Sequence, residues 1–143
     1  MRDWGLPERW TGPLLSLLRL VAGLTFLEHG AQKLLGFPPA PPSMPPPAAF
    51  SLLWCAGLLE LAGGLLLFLG LLTRPAAFIL AGEMAVAYWS VHAPRSFFPS
   101  LNGGDAAILY CFVFLYLSAA GGGPWSLDSL RRRNPAPGSV TEG

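Results

Sequence analysis

Long apolar stretches alternate along this chain with short segments that are polar or rich in glycine and proline. The apolar stretches cover residues 14–35, 50–72, 76–93 and 106–120. An apolar helix of about 20 residues can cross a hydrocarbon core of about 30 Å. The pattern therefore predicts an all-α, polytopic membrane protein, built as a bundle of four transmembrane helices.

The remaining residues divide around this predicted membrane domain, which we assign to residues 14–128. Residues 1–13 place Trp4 and Trp10 beside charged side chains, a composition typical of a segment at the level of the lipid headgroups. Residues 129–143 are mostly polar and contain proline and glycine. We expect them to form a loose cytoplasmic tail.

The connections between the apolar stretches carry distinct turn signals. Residues 37–50 are rich in proline and predict a stiff, extended connection. Gly70 can end the second helix and Pro75 can stand in the first turn of the third, which predicts a tight hairpin. "NGG" predicts a turn before Asp105, whose side chain is expected to cap the fourth helix.

Composition and charge narrow the class of protein. Hydrophobic residues make up 52% of the chain and charged residues 12%, and the net charge of +1 removes any electrostatic argument for nucleic-acid binding. The two cysteines, Cys55 and Cys111, are far apart in sequence, unlike the vicinal pair of a thiol-disulfide enzyme. They are best explained as small packing residues.

Basic residues also predict the orientation. With four crossings, most of the arginines fall on one side of the membrane and only Lys33 and Arg95 near the other. Basic residues favour the cytoplasmic side, so we expect a multi-pass protein of a bacterial inner membrane with both termini in the cytoplasm. The arginines on the predicted cytoplasmic side are Arg2, Arg9, Arg74 and Arg131–Arg133.

Polar and ionisable residues inside the predicted spans are the candidates for function. A charge within a bilayer costs a few kcal/mol unless it is paired or hydrated. Given the alternating helix directions, most of these residues fall in the outer half, and Arg19 falls on the cytoplasmic side. The candidate ligand-binding residues are Arg19, Glu28, His29, Gln32, Lys33, Glu60, Glu83, Tyr88, His92 and Asp105.

Helical spacing groups some of these candidates on common faces. Glu28 and Gln32 are four residues apart, as are His29 and Lys33, which predicts two adjacent polar stripes. Gly30 would let a second helix or a ligand come close to this wall.

Glu60 lies on a face with glycines on either side, which predicts contact with protein and not with lipid. Its expected partner is Lys33 or Arg19. A purely structural alternative is that these charges only pair to hold the helices together.

Several longer motifs resemble one family. "LLRLVAGLTFLEHGAQKLLGF", "GLLELAGGLLLFLGLLTRPAAFIL", "NGGDAAILY" and "GGGPWSLD" are similar to the DoxX family of small four-helix membrane proteins, over residues 14–128. The resemblance implies recurring polar positions and a link to membrane redox systems, including the integral subunit of a thiosulfate:quinone oxidoreductase. Asp105 stands where the family usually has Glu, and the first loop is unusually rich in proline. The recurring positions fall on Arg19, His29, Lys33, Glu60, Arg74 and Asp105.

Two classes of function stay open from the sequence. The first is a redox subunit that binds a quinone or similar small ligand in a polar cavity of the outer half, with His29, Glu28 or Glu83 exchanging protons and Lys33 or Tyr88 donating hydrogen bonds. This class needs a partner subunit to supply electrons, which leaves open whether the chain is itself an oxidoreductase. The second is a non-redox protein that binds a small solute or lipid headgroup, or a scaffold for a partner, as a hetero- or homo-oligomer in the bilayer.

The chain contains no motif for a covalently bound cofactor, and the sequence does not lead us to assign a metal site. Haem held by His29 and His92 is a third alternative, but neither histidine belongs to a paired-histidine pattern. A metal site that adds Glu28 and Asp105 to these histidines is equally unspecific. Quinone, which the family resemblance implies, is the one small-molecule cofactor that we expect.

Overall fold

The computed structural model describes residues 8–42 and 45–133, and the regular structure in this part of the chain is entirely helical. This confirms the all-α class. A 3-10 turn at Glu8–Trp10 precedes the first helix. The helices are α1 (Thr11–Leu35), α2 (Leu52–Leu69), α3 (Thr73–Ala87) with a π-helical turn at Tyr88–His92, α4 (Pro99–Asn102), α5 (Asp105–Ala120) and α6 (Leu127–Arg133).

Two of these helical stretches are long and apolar enough to cross a membrane, judged by length and composition. They are Glu8–Leu35, which includes α1, and α2. Helix α5 is apolar but has 16 residues, which span about 24 Å of a core about 30 Å thick. Two helical stretches are therefore candidates for crossing a membrane, and crossings by all four long helices stay a prediction.

Most predicted boundaries lie within a few residues of the observed ones. The α2–α3 turn is tight: Gly70 ends α2 with φ 67°, and Pro75 stands in the first turn of α3. The expected cap by Asp105 is wrong, because Gly104 precedes α5 and the Asp105 side chain makes no capping hydrogen bond. Asn102 instead accepts a hydrogen bond from the Gly104 amide through Oδ1, at 2.7 Å.

The structure describes only part of the two predicted terminal segments. Trp4 lies outside the described residues, whereas Trp10 is exposed in the 3-10 turn before α1. The first residues of the expected loose tail, 129–133, belong to α6, and Ser129 is buried. The rest of that tail lies outside the described residues.

Helices α1 and α2 pack backbone to backbone along a glycine face. A Cβ atom at Gly30 would lie 2.3 Å from the amide nitrogen of Leu61, and one at Gly64 would lie 2.5 Å from that of Leu27. Real side chains do not fit at such distances. The glycines therefore set both the closeness and the register of the α1–α2 contact.

The second packing unit joins α3 and α5 and meets α1 through aromatic rings. Phe26 of α1 is buried, and its ring packs edge-to-face on Phe114, with centroids 4.6 Å apart, and on Tyr110, at 4.8 Å. The outward faces of the long helices carry exposed apolar side chains such as Leu24, Ile79 and Phe112. Apolar surface of this extent suits contact with lipid.

The helix directions produce two distinct ends. The start of α1, the α2–α3 turn and the end of α5 meet at one end, where the backbone amide of Trp125 donates to Ser16 Oγ at 3.2 Å. We call this the turn end. The end of α1, the π-helical turn and the start of α5 lie at the opposite end, which we call the outer end after the orientation predicted from the sequence.

Candidate functional site

A buried ion pair links α1 and α2 towards the outer end. Lys33 Nζ lies 2.5 Å from Glu60 Oε1 and 2.6 Å from Oε2. The Glu60 side chain is 6% exposed and that of Lys33 is 25% exposed. The expected pairing of Glu60 with Lys33 is therefore observed, and the ammonium group bridges both carboxylate oxygens.

A glycine on α2 makes room for this pair. A Cβ atom at Gly57 would lie 3.0 Å from Lys33 Cβ, so any larger residue would push the lysine stem away from α2. Glu60 follows Gly57 by one helical turn and shares its face. The glycine face thus places a long basic side chain directly over the carboxylate.

Glu83 on α3 is the unusual group of this region. Both of its carboxyl oxygens are closed to solvent, and neither has a hydrogen-bond partner among the described residues. The charges of Glu60 and Lys33 both act on it. The Lys33 ammonium group therefore influences the carboxyl groups of both Glu60 and Glu83, but it contacts only that of Glu60 directly.

Aromatic and hydroxyl groups join α1 and α5. Tyr110 Oη donates to Thr25 Oγ1 at 2.9 Å, which joins the two helices beside the buried Phe26. The His29 ring lies edge-on to Phe26, with centroids 6.2 Å apart. Sequence reasoning missed the Thr25–Tyr110 pair, since neither residue stands out in an apolar helix.

The π-helical turn after α3 brings Tyr88 and His92 together. Their rings are stacked with centroids 6.5 Å apart, and His92 Nδ1 lies 3.1 Å from the carbonyl oxygen of Asn102. Asn102 is buried and also donates to the Ser96 carbonyl at 2.8 Å. It organises this corner and was not singled out, although "NGG" marked a turn there.

Other predicted site residues lie away from the ion pair. Glu28, His29 and Asp105 are exposed on the surface of the chain. Gln32 donates from Nε2 to the Pro38 carbonyl at 3.3 Å, which ties the proline-rich connection to α1. Of the two predicted polar stripes, the structure therefore brings only Lys33 into direct contact with a buried carboxylate, that of Glu60.

Arg19 occupies a separate position at the turn end. Its side chain is fully buried and donates to the carbonyl oxygens of Leu67, of Phe68 at 2.6 Å, of Gly122 at 2.9 Å and of Trp125 at 2.6 Å. Arg19 lies about 21 Å along α1 from Lys33, so it is not the partner of Glu60. The cation meets the carboxyl end of α2, where the helix dipole favours positive charge.

Asp128 secures the other side of the same junction. Its carboxylate accepts hydrogen bonds from the amides of Leu72 and Thr73, both at 2.9 Å, and so caps the start of α3 from a distant part of the chain. Burial alone would raise the pKa of Asp128. The hydrogen bonds from Thr73 and Leu72 and the nearby charge of Arg132 outweigh burial and hold the pKa below its ordinary value.

Comparison with known proteins identifies the family. The DoxX family model matches residues 14–93. The chain belongs to the DoxX family. The matched region holds α1, α2, α3 and the π-helical turn, and so includes Lys33, Glu60 and Glu83. The DoxX family is one of membrane proteins, which agrees with the apolar helices described above.

Individual relatives of this DoxX chain extend the match beyond the family region. An uncharacterized protein of Haemophilus influenzae is 41% identical over 125 residues, covering 85% of this chain and 93% of that protein. A second uncharacterized protein of the same bacterium is 30% identical over 142 residues, covering 93% of each chain. No solved structure matches the chain significantly.

The candidate metal ligands of this DoxX chain are scattered over the described residues. Within residues 8–42 and 45–133, no group of three or more His, Cys, Asp or Glu side chains is placed to hold a metal ion.

Proposed function

We propose that this DoxX protein is an integral membrane subunit of a redox system and binds the headgroup of a quinone or hydroquinone beside Lys33, Glu60 and Glu83. The observation that carries the proposal is the Glu83 carboxyl group. Both of its oxygens are buried without a partner, and such a group strongly favours a ligand that completes its hydrogen bonds.

The two redox forms of a quinone match the two protonation states of this carboxyl group. An ionised carboxylate accepts a hydrogen bond from a hydroquinone hydroxyl, and a protonated carboxyl donates one to a quinone carbonyl. Quinone chemistry moves protons together with electrons, which gives Glu83 the role of proton acceptor or donor. Electrons would come from, or pass to, a partner subunit.

The Lys33–Glu60 pair limits the charge that Glu83 can carry. Lys33 balances one of the two carboxylates, so a second negative charge is unbalanced unless a proton or a hydrogen-bond donor arrives. A hydroxyl ligand supplies that donor. Because the Glu83 oxygens are closed to solvent, binding requires neighbouring side chains to move aside.

Equilibrium binding of a short-chain quinone tests the proposal. The full-length protein in a neutral detergent is titrated with decyl-ubiquinone, and binding is followed by quenching of tryptophan fluorescence. We expect Glu83→Gln to weaken binding by at least about tenfold, since a hydrogen bond to a charged group is worth about 1.5–3 kcal/mol. Glu8→Gln, which alters an exposed carboxylate outside the site, should leave binding unchanged.

Two results would count against the quinone proposal. One is the absence of quinone and hydroquinone binding by the wild-type protein. The other is equal binding by wild type and Glu83→Gln.

A second candidate function, that of a scaffold for a partner protein, is favoured by the exposed pair Glu28 and His29. Both lie on α1 within a stretch able to cross the membrane, where uncovered polar groups are costly. A second copy or another membrane protein could cover them. Light scattering of the detergent-solubilised protein should then show a complex that Glu28→Leu with His29→Leu dissociates, and a wild-type monomer would contradict this candidate.

We propose a bacterial inner membrane, four crossings and cytoplasmic termini. The positions of the arginines support this orientation. The meeting of the α1 start, the α2–α3 turn and the α5 end at one end of the molecule is compatible with it.

A further inference from the structure

A basic groove lies at the turn end, on the opposite side of the molecule from the Lys33–Glu60 pair. It has a volume of about 330 Å³ and is formed by the start of α3, the glycines that follow α5 and the exposed side of α6. Its charged lining residues are Arg74, Arg131, Arg132 and Asp128. Two segments far apart in sequence thus bring three guanidinium groups to one groove.

The single carboxylate of the groove offsets only part of its positive charge. Asp128 directs its two oxygens to the amides of Leu72 and Thr73. Among the described residues, no carboxylate lies within 4.0 Å of the three guanidinium groups. Three guanidinium groups therefore share the groove with one carboxylate, whose oxygens already accept hydrogen bonds from backbone amides. One guanidinium group can bind two phosphate oxygens at once.

The level of the groove along the helices points to lipid. Helix α2 ends at Leu69, α3 begins at Thr73 and α5 ends at Ala120, so the groove lies just beyond the ends of three apolar helices. This is the level at which the headgroups of a bilayer surround a membrane protein. Basic residues at this level attract anionic lipids.

Exposed apolar side chains lie in the groove and on the segments that form it. Leu72 lines it and is 54% exposed, and Leu130 on α6 is also 54% exposed. Trp125 is 58% exposed just before α6, and exposed tryptophans are typical of the membrane interface. A phosphate group beside an acyl chain fits this combination of charges and apolar rim better than a free phosphate ion.

We propose that this groove binds the headgroup of an anionic phospholipid through Arg74, Arg131 and Arg132. The lipid phosphate contacts the guanidinium groups, and its acyl chains pass along Leu72 and Leu130 into the bilayer. Bound in this way, the lipid would join the α2–α3 turn to α6 without any role in the outer, candidate redox site.

Native mass spectrometry of the full-length protein in a neutral detergent tests this site. The probe is dioctanoyl-phosphatidylglycerol, with dioctanoyl-phosphatidylcholine and inorganic phosphate as separate arms. We expect Arg74→Gln with Arg132→Gln to raise the apparent Kd for phosphatidylglycerol about 25-fold, at about fivefold for each arginine near a membrane surface. The matched control, Arg9→Gln with Arg95→Gln, removes the same charge outside the groove and should change the Kd less than twofold.

Two further readouts keep the test decisive. Arg74→Lys with Arg132→Lys retains the charge and should recover most of the affinity, which separates loss of binding from loss of folding. The midpoint of thermal unfolding without lipid checks that each variant is folded.

Three results would overturn the proposal. The first is equal weakening by the groove and control variants, which would indicate general attraction between charges. The second is equal binding of phosphatidylcholine. The third is displacement of the lipid by an equal concentration of inorganic phosphate, which would indicate a site for a free anion.

Discussion

The charge of Lys33 acts on two acidic residues, and we expect this to govern the energetics of the outer half. Glu60 contacts the Lys33 ammonium group directly, whereas Glu83 is influenced by the charges of both Lys33 and Glu60. In a poorly solvated interior, removing one member of a pair leaves an uncompensated charge. The cost should therefore depend on which member is removed.

The first prediction concerns the Lys33–Glu60 pair. Lys33→Leu should lower the free energy of unfolding by about 3 kcal/mol, because it leaves two carboxyl groups without a cation. Glu60→Leu should cost less, because Glu83 can then pair with Lys33. The double variant should lose less than the sum of the single losses, as measured by denaturant unfolding in detergent micelles.

A matched pair of variants checks this interpretation. Glu28 is exposed and is not paired with Lys33 in the structure, so Glu28→Leu and Lys33→Leu should be additive. Strict additivity for Lys33 and Glu60 as well would show that they are not partners.

The second prediction concerns pH and Asp128. The pKa of Asp128 is lowered on folding, so its contribution to stability is fully present above the unfolded value of about 4 and is lost as pH falls through the lower, folded value. Asp128→Asn keeps only one acceptor for the two amides and should cost about 1 kcal/mol at pH 7. The difference in unfolding midpoint from wild type should shrink below pH 4; a constant difference would contradict the role of the charge.

At the scale of elements, α1 is the helix on which both ends of the molecule depend. It carries Lys33 towards the outer end and Arg19 at the turn end, and the glycine face between them packs on α2. A shift of one helix along the other would break both sets of contacts. Close packing at the glycines therefore holds the ion pair and the arginine contacts in register.

The third prediction follows from this packing. Gly30→Ala should lower the free energy of unfolding by about 1–3 kcal/mol, because the added methyl group would meet the α2 backbone at Leu61. Gly82→Ala on α3 is the control, since a Cβ atom there meets nothing within 4 Å. It should leave stability unchanged or raise it slightly, because alanine favours helix over glycine. Equal losses at both positions would rule out close packing as the cause.

For the whole molecule, the meeting of distant segments at the turn end has a consequence for topology. The start of α1 and the residues after α5 contact each other through Ser16 and Trp125. They must therefore lie on the same side of any membrane that the protein crosses. The arginines of that end favour the cytoplasm.

The fourth prediction tests this orientation. In a Cys55→Ser, Cys111→Ser background, Ser100→Cys should react in intact cells with a thiol reagent that cannot cross the inner membrane. Glu8→Cys should react only after the cells are opened. Both positions are exposed on the protein and lie at opposite ends, so the reverse pattern would invert the proposed topology.

Local sequence patterns were enough to predict the helical class, the helix positions and the candidate polar residues. Apolar stretches, the Gly70 and Pro75 signals and the rarity of charge inside apolar helices are local properties, and local physics sets helix ends. The same signals predicted a polar wall at Glu28, His29 and Gln32, which stays a prediction; in the structure Glu28 and His29 are exposed. Exposure depends on how a helix is rotated against its neighbours, which a helical spacing alone does not specify.

Which charged side chains contact one another depends on the tertiary structure. Glu60 had two plausible partners in α1, and the glycine contacts between α1 and α2 brought Lys33 to it and left Arg19 with four carbonyl oxygens. The unpartnered Glu83 carboxyl and the groove of Arg74, Arg131 and Arg132 depend in the same way on segments distant in sequence. A pairing between such segments is set by the packing of whole helices, because only packing fixes the distance between side chains that no local pattern connects.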